Sequence, residues 1–431
     1  MEKITREIYK DDFTEYLLCL ALDVGEGMLK NGGEVGRVED TIERICRAYG
    51  AQHVEVFTIV SMINAAIRMP DGSYSLQLRR VKQTGNNLGM LEKLNALSRE
   101  ICATTPSLEV FEEKLRSIKK IPVYPVSLHI LASALGAGAF CMFFGGGVID
   151  SIITFFIGII ICLINNYRSK RINSMAKTVI CSFIATTASV VFSMMISSVG
   201  VDYIIIGAIM LLVPGLLFAT AVRDLFCGDL IAGTLKILQA FLQILMIGFG
   251  YMLSYAMLGD LLINATIDSS AGGIVVQLIT AALTSVAFAV VFKTDKRHLV
   301  SVAICGTLTF AAYYFILLLT DSLFWASFLS SVFAAFYSEV NARVRKAPAI
   351  VVLMPAVISI VPGGYFYRSV RDLIKGSIFT SLAEFGAAGE IALGLAGGIV
   401  VASIIFGVVY DGVKGFKKQN NVNKSAQDKE L

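Results

Sequence analysis

The chain has 431 residues, 55% of them hydrophobic, with 37 Lys or Arg against 33 Asp or Glu and a formal net charge of +4. A mean hydropathy of +0.70 excludes a disordered chain and an ordinary soluble globular protein, and so small a net charge gives no reason to expect a nucleic-acid partner. Eight scattered cysteines form no CxxC pair, and His53, His129 and His298 stand apart from them, so reduced packing cysteines are expected, with no metal site and no cofactor.

Charge is unevenly spread along the chain. Residues 1–120 carry 17 basic and 18 acidic residues, whereas 121–431 carry 20 and 15 over more than twice the length, mostly between apolar runs. The first segment reads as a small cytoplasmic α+β domain. Its start, interrupted by Asp11, Asp12 and Glu15, lacks the basic, apolar and small-residue order of a signal peptide. An amphipathic helix over 11–30 stops at Asn31-Gly32-Gly33, and a second places Val35, Val38, Ile42, Ile45 and Tyr49 on one face. Val54, Val56, Thr58 and Val60 alternate as in a strand, Pro70-Asp71-Gly72-Ser73 turns into a strand over 74–81, and helices over 87–103 and 108–118 lead onward.

Ten apolar runs follow, near 125–144, 148–165, 178–197, 201–220, 231–257, 273–292, 299–319, 322–340, 348–366 and 383–409. A bilayer needs about 20 apolar residues per helix, so each run is a candidate span. Adding 148 to any of the first five lands on its counterpart in the second five. Five is odd, so the second half must enter from the opposite side. The fold class is therefore an α-helical polytopic membrane protein whose ten transmembrane helices form a 5+5 inverted repeat, an architecture characteristic of secondary transporters. The expected boundaries are 1–120 for the cytoplasmic domain, 121–258 and 259–410 for the two halves, and 411–431 for a polar cytoplasmic tail.

Loop charges give the orientation. Arg116, Lys119 and Lys120, then Arg168, Lys170, Arg171 and Lys177, then Lys293, Lys296 and Arg297, then Arg343, Arg345 and Lys346 all fall on one side, and the alternate loops near 145–150, 198–202, 259–272 and 320–322 contain no Lys or Arg. Both termini should be cytoplasmic, and Lys414, Lys417 and Lys418 agree. Arg368, Arg371 and Lys375 break the rule by falling outside. Either the span count is wrong or these charges do not sit in an ordinary loop.

The exception belongs to a repeat. VPGLLFATAVRDLFCG (Val213–Gly228) and VPGGYFYRSVRDLIKG (Val361–Gly376) share nine of sixteen positions; chance would give about one. Each copy sets a Pro-Gly pair, Pro214-Gly215 or Pro362-Gly363, at a point where a helix should kink or break, because Pro lacks a donor and Gly tolerates unusual dihedrals. Broken helices survive in hydrocarbon only where protein or water satisfies the freed backbone, so they tend to mark substrate sites. The Arg223-Asp224 and Arg371-Asp372 pairs that follow are the candidate binding or gating groups. A guanidinium can hold a substrate carboxylate bidentately, and an aspartate can hold an ammonium or relay a proton. The structural alternative is a pair of interfacial charges with the aspartate as a helix cap.

Ionisable residues inside spans seldom occur without a role. Lys236 and Glu384 also differ by 148, so they could meet across the pseudo-two-fold as a coupling ion pair. Glu390 is a candidate proton carrier or a carboxyl facing an aqueous vestibule. Gln239, Gln243 and Gln277 could line a cavity or join helices, and Gly136, Gly138, Gly394 and Gly398 read as close-packing positions.

The order GEGMLKNGGEVGRVEDTIERICRAYG, HVEVFTIVSMINAAI, Leu78-Arg79-Arg80-Val81 and Asn95-Ala96-Leu97-Ser98-Arg99 resembles the prokaryotic threonine/serine exporter family, over nearly the whole chain. The two VPG…RD segments look like the cores of that family's two membrane halves, here fused in one chain. The resemblance implies a cytoplasmic N-terminal domain, ten helices in a bacterial inner membrane, and export of small hydroxy amino acids driven by the proton gradient. The split two-protein form of the family implies dicarboxylates such as succinate as the alternative substrate. Glu34, Arg37 and Glu39 match the family's N-terminal motif, with a salt-bridged helix surface as the plain alternative. A membrane-anchored enzyme or sensor acting through residues 1–120 is the reading from another class, but that segment has no Walker loop, nucleophile elbow or metal-ligand cluster. The expected partners are a small-molecule substrate and the lipid bilayer, and a homo-oligomer is compatible with the sequence.

Overall fold

A computed structural model describes residues 12–82, 85–119, 124–167, 172–196, 198–226, 228–264 and 273–430, with backbone alone at 216, 219, 260–264 and 409–430. Lys120, Arg168, Lys170, Arg171, Cys227 and the loop 265–272, all used above, lie outside the described residues.

The N-terminal unit is two helices, a meander sheet and two more helices. Asp12 caps α1 (Phe13–Lys30) by accepting from the Thr14 and Glu15 amides, and Gly32, at φ +92, supplies the left-handed residue that ends it. Next come α2 (Val35–Ala48) and three antiparallel strands, β1 (His53–Ile59), β2 (Met62–Arg68) and β3 (Tyr74–Arg80), in spatial order 1-2-3. The strand β2 adds to the sequence reading. It follows β1 through Val60-Ser61, which carries none of the Asn-Gly or Asp-Gly signal of a tight hairpin. Its register, Ile59 opposite Met62 and Met62 opposite Arg80, turns Ile63, Ala65 and Ile67 onto the core beneath α1. The helices α3 (Leu88–Thr104) and α4 (Leu108–Lys119) close the unit.

Among the described residues, eight later helices are long and apolar enough to cross a membrane. They are α5 (Val126–Phe143), α6 (Val148–Asn166), α7 (Ser174–Met195), α10 (Leu230–Asn264), α11 (Ile274–Val291), α12 (Leu299–Thr320), α13 (Leu323–Arg345) and α16 (Ile378–Glu430). The chain is thus a multi-pass membrane protein. Gly136 packs on Ala287 and Phe288, Gly138 on the Ser151 carbonyl, Gly394 on the Phe324 carbonyl and Gly398 on the Phe328 carbonyl, so these glycines do admit close helix approach.

The expected spans over 201–220 and 348–366 are not continuous helices. The first is α8 (Val201–Ile209) and α9 (Gly215–Phe226), separated by turns and Val213-Pro214. The second is α14 (Ile350–Ala356), a 3-10 turn over Val357–Ile360 and α15 (Gly363–Ile374), bent by 42°. Hydropathy alone does not register the break, because the residues around each Pro-Gly pair are as apolar as the helices.

The N-terminal unit docks on one end of the helical bundle. The Leu88 and Gly89 amides donate to the carbonyls of Phe292 and Lys293 at 2.8 and 3.1 Å, Glu92 meets Arg297 and His298, and Arg99 Nη2 donates to the Lys346 carbonyl at 2.6 Å. These contacts define a near face. From Lys346 there, α14–α15 runs away through the bundle until Arg371 meets Asp202 at the start of α8, and α8–α9 runs back to the near face at Arg223.

Candidate functional site

The two Pro-Gly breaks touch. A methyl group placed on Gly215 would collide with Val361 Cγ1, and one on Gly363 would lie 2.6 Å from Met210 Sδ and 3.1 Å from Val213 Cγ1. Three residues on, Phe218 and Phe366, which are repeat equivalents, tilt against each other with ring centroids 5.7 Å apart. At Gly215 the opposing atom belongs to the short, stiff Val361 side chain, whereas at Gly363 the nearest atoms are the flexible end of Met210.

Pro214 has no amide hydrogen to give the preceding turn. Within that turn Gln243 of α10 steps in, its Nε2 donating to the Leu212 carbonyl at 2.7 Å. Helices restart when the Phe218 amide bonds the Pro214 carbonyl at 2.9 Å and the Phe366 amide bonds the Pro362 carbonyl at 3.1 Å. Around the junction, Ile209, Ile244, Tyr251, Tyr367 and Val370 line a small apolar space of about 10 Å3.

Eight residues beyond each Gly, about 12 Å along a helix at 1.5 Å per residue, stand the paired charges. At the near face Arg223 Nη1 donates to Glu34 Oε1 at 2.6 Å, and Lys236 Nζ donates to Asp224 Oδ2 at 2.5 Å. Glu34 precedes the first turn of α2 yet makes no side-chain cap, so its carboxylate is left for Arg223. Burial raises the Glu34 pKa, but the charges of Arg223, Arg37 and Lys236 outweigh burial and hold it below the ordinary glutamate range. Glu39, the other acid of that stretch, accepts the Thr58 amide at 2.7 Å, and burial holds its pKa above that range.

At the far face Asp202 accepts from Arg371 Nη1 at 2.9 Å and from the Tyr367 hydroxyl at 3.1 Å, while Arg371 Nε bonds Asp372 at 2.8 Å. Arg368 bonds Glu384 at 3.0 Å and lies 4.4 Å over the Tyr365 ring. Arg368 and Arg371, which break the loop-charge rule, are thus neutralised in place by carboxylates. Asp202 is the residue here that sequence reasoning passes over, since it reads as a loop end; its only sequence signal is an acid in the first turn of an apolar run.

Pro214, Gly215, Pro362 and Gly363 are therefore brought together, and Arg223-Asp224 and Arg371-Asp372 flank them at opposite ends. Lys236 and Glu384 do not meet in this structure, having Asp224 and Arg368 as partners. Glu390 is exposed on α16, beside Gly386 and Gly389 with open space around them. Among the described residues no cluster of three His, Cys, Asp or Glu could hold a metal.

Two family profiles cover most of the chain. A family profile described as putative threonine/serine exporter matches residues 19–258, and a second, described as Threonine/Serine exporter, ThrE, matches 277–405. Among curated proteins, the chain is 25% identical to Pheromone-regulated membrane protein 10 of Pichia sorbitophila over 49% of its own length and 21% of that protein's, so it spans about a fifth of this relative. It is 27% identical to the Probable succinate transporter subunit YjjP of Klebsiella aerogenes over 54% of this chain and 90% of the relative. For the protein of the same name in Escherichia coli the figures are 26%, 50% and 84%. No solved structure matches the chain.

Proposed function

The chain belongs to the threonine/serine exporter family, and from that premise we propose that it is a secondary active transporter carrying threonine and serine out of the cell, driven by the proton gradient. The observation that carries this reading is the pair of touching Pro-Gly breaks, each followed by a guanidinium that already holds a carboxylate from another part of the chain. A substrate carboxylate has the same chemistry as Glu34 and Asp202, and it would exchange with Glu34 at the near face and with Asp202 at the far face. Asp224 or Asp372 would take the substrate ammonium. The helices cross the bacterial inner membrane ten times as two inverted halves, with α8–α9 and α14–α15 as the interrupted crossings. The N-terminal unit and the C-terminal tail face the cytoplasm. Opening at one face would close the other, because both Arg elements lean on the single Gly215–Val361 and Gly363–Val213 contact.

Glu390 is the proton carrier in this scheme: over 378–408 of α16, where side chains are described, Glu384 is held by Arg368 and Glu390 has no ion pair among the described residues. Lys236 and Glu384 would exchange partners during the cycle and pair with each other in a conformation other than this one.

A second reading, dicarboxylate export, is favoured by the two relatives named probable succinate transporter subunit. It requires two cations at one face, and Arg223 with Lys236 supplies them. Proteoliposomes with an imposed pH gradient separate the readings. Movement of labelled threonine and serine but not succinate supports the first, the reverse supports the second, and movement of none removes both.

A further inference from the structure

A cavity of about 730 Å3 opens between the N-terminal unit and the near face of the bundle, within the range of about 300–1,000 Å3 typical of small-molecule sites. Arg37, Arg44 and Arg99 border it from α2 and α3, and Arg343 and Lys346 from α13 and its C-cap; the carboxylates on its lining are Asp40 and Glu339. Both are engaged within their own helices, Asp40 with Arg44 at 2.7 Å and Glu339 with Arg343 at 2.5 Å. Arg37 on one wall and Lys346 on the other form no ion pair among the described residues, and the bond from Arg99 to the Lys346 carbonyl clamps the walls together. The floor is Pro348 and Ala349, directly before the second broken helix.

Five cations against two committed carboxylates leave a net positive concavity whose low-dielectric walls concentrate the field. No uncommitted carboxylate lines it to hold an ammonium, so it suits an anion better than an amino acid. Positive groups on opposite walls suit a ligand with two negative charges. We propose that this cavity binds a small soluble dianion, a dicarboxylate or phosphate, which bridges Arg37 and Lys346 and ties the N-terminal unit to the near end of the second broken helix. Neither Arg223 nor Arg371 lines the site, and because its test reads Cys102 rather than flux, the inference can fail without the transport reading failing.

Cys102, a free and half-buried thiol on the cavity wall, is a built-in reporter. In the purified full chain, its modification by an anionic and a cationic methanethiosulfonate reagent is followed by peptide mass spectrometry, each rate divided by that of free cysteine. The anionic reagent should be preferred about tenfold, the lower end of electrostatic steering into a charged cleft. Succinate or inorganic phosphate should slow the reaction where threonine does not; slowing by succinate alone or by phosphate alone says which dianion the site takes. Arg37→Gln with Lys346→Gln should abolish both the preference and the protection while leaving the rate with a neutral maleimide unchanged. If the maleimide rate shifts, Arg37→Gln alone is read in the same way. Equal rates for the two reagents, equal protection by threonine, or protection by phosphatidylglycerol but by neither soluble anion would overturn the proposal.

Discussion

Arg223 of the first broken helix donates to Glu34 at 2.6 Å, across 189 residues of chain. A guanidinium on a proposed substrate path is thereby held by a carboxylate of the N-terminal unit, and a substrate carboxylate has to displace it. Glu34→Gln keeps the shape and removes the charge. The half-saturating substrate concentration for efflux should fall about tenfold, a change of about 1.4 kcal/mol. An unchanged value would mean that Glu34 does not compete with substrate.

Docking of the N-terminal unit should weaken in acid. Glu34 is held below the ordinary glutamate range despite its burial, and in Glu92 burial is likewise outweighed, there by hydrogen bonds and charge from His298 and Arg297. A folded pKa below the unfolded one stabilises above the unfolded value, and that stability is lost as pH falls through the folded pKa. Hydrogen exchange along α2 and α3 should therefore rise below about pH 4, the unperturbed glutamate range. Protection that increases in acid would contradict this assignment.

The Lys236–Asp224 pair is almost fully buried, with side-chain exposures of 8% and 3%. Removing one partner strands a charge, which costs about 3–5 kcal/mol, whereas replacing both with apolar residues of similar size is often neutral. Lys236→Met should lower the unfolding temperature sharply, and Lys236→Met with Asp224→Leu should restore most of it. Swapping the pair, Lys236→Asp with Asp224→Lys, should also recover stability. If Lys236→Glu with Glu384→Lys recovers it instead, the ground-state partner is Glu384.

Gly215 tests the contact between the breaks. Gly215→Ala forces a methyl group against Val361, and overpacking of this kind costs about 1–3 kcal/mol. Flux should drop in Gly215→Ala and return in Gly215→Ala with Val361→Ala, which removes the opposing γ-carbons. A single variant with normal flux would show that the two turns part easily.

What the sequence discloses here follows from which signals are local. The duplicated VPG…RD pattern marks both breaks because proline acts on its own helix, and the Asn31-Gly32-Gly33 stop ends α1 for the same reason. The strand β2 escapes because Val60-Ser61 lacks a turn signature and MINAAIR does not alternate polar with apolar, its outer positions including the apolar, half-buried Met62 and Ala66. The partners of the arginines are tertiary facts. Glu34 stands out only through the family's N-terminal motif, and nothing near Asp202 in the chain announces Arg371, 169 residues away. Equal spacing in the two sequence repeats suggests a Lys236–Glu384 pair, but each finds a partner nearer in the chain, twelve residues away at Asp224 and sixteen at Arg368.

If both guanidiniums handle the substrate carboxylate, flux through reconstituted protein depends on each of them. Efflux of labelled threonine, serine and succinate down an imposed pH gradient is to be compared in the wild type, Arg223→Ala and Arg371→Ala, with each variant shown to be folded by its elution profile. The account expects the wild type to carry at least one of the three and each variant to lose about 99% of that flux, as removal of a charged hydrogen bond worth about 3 kcal/mol implies. Wild-type flux in both variants would contradict it.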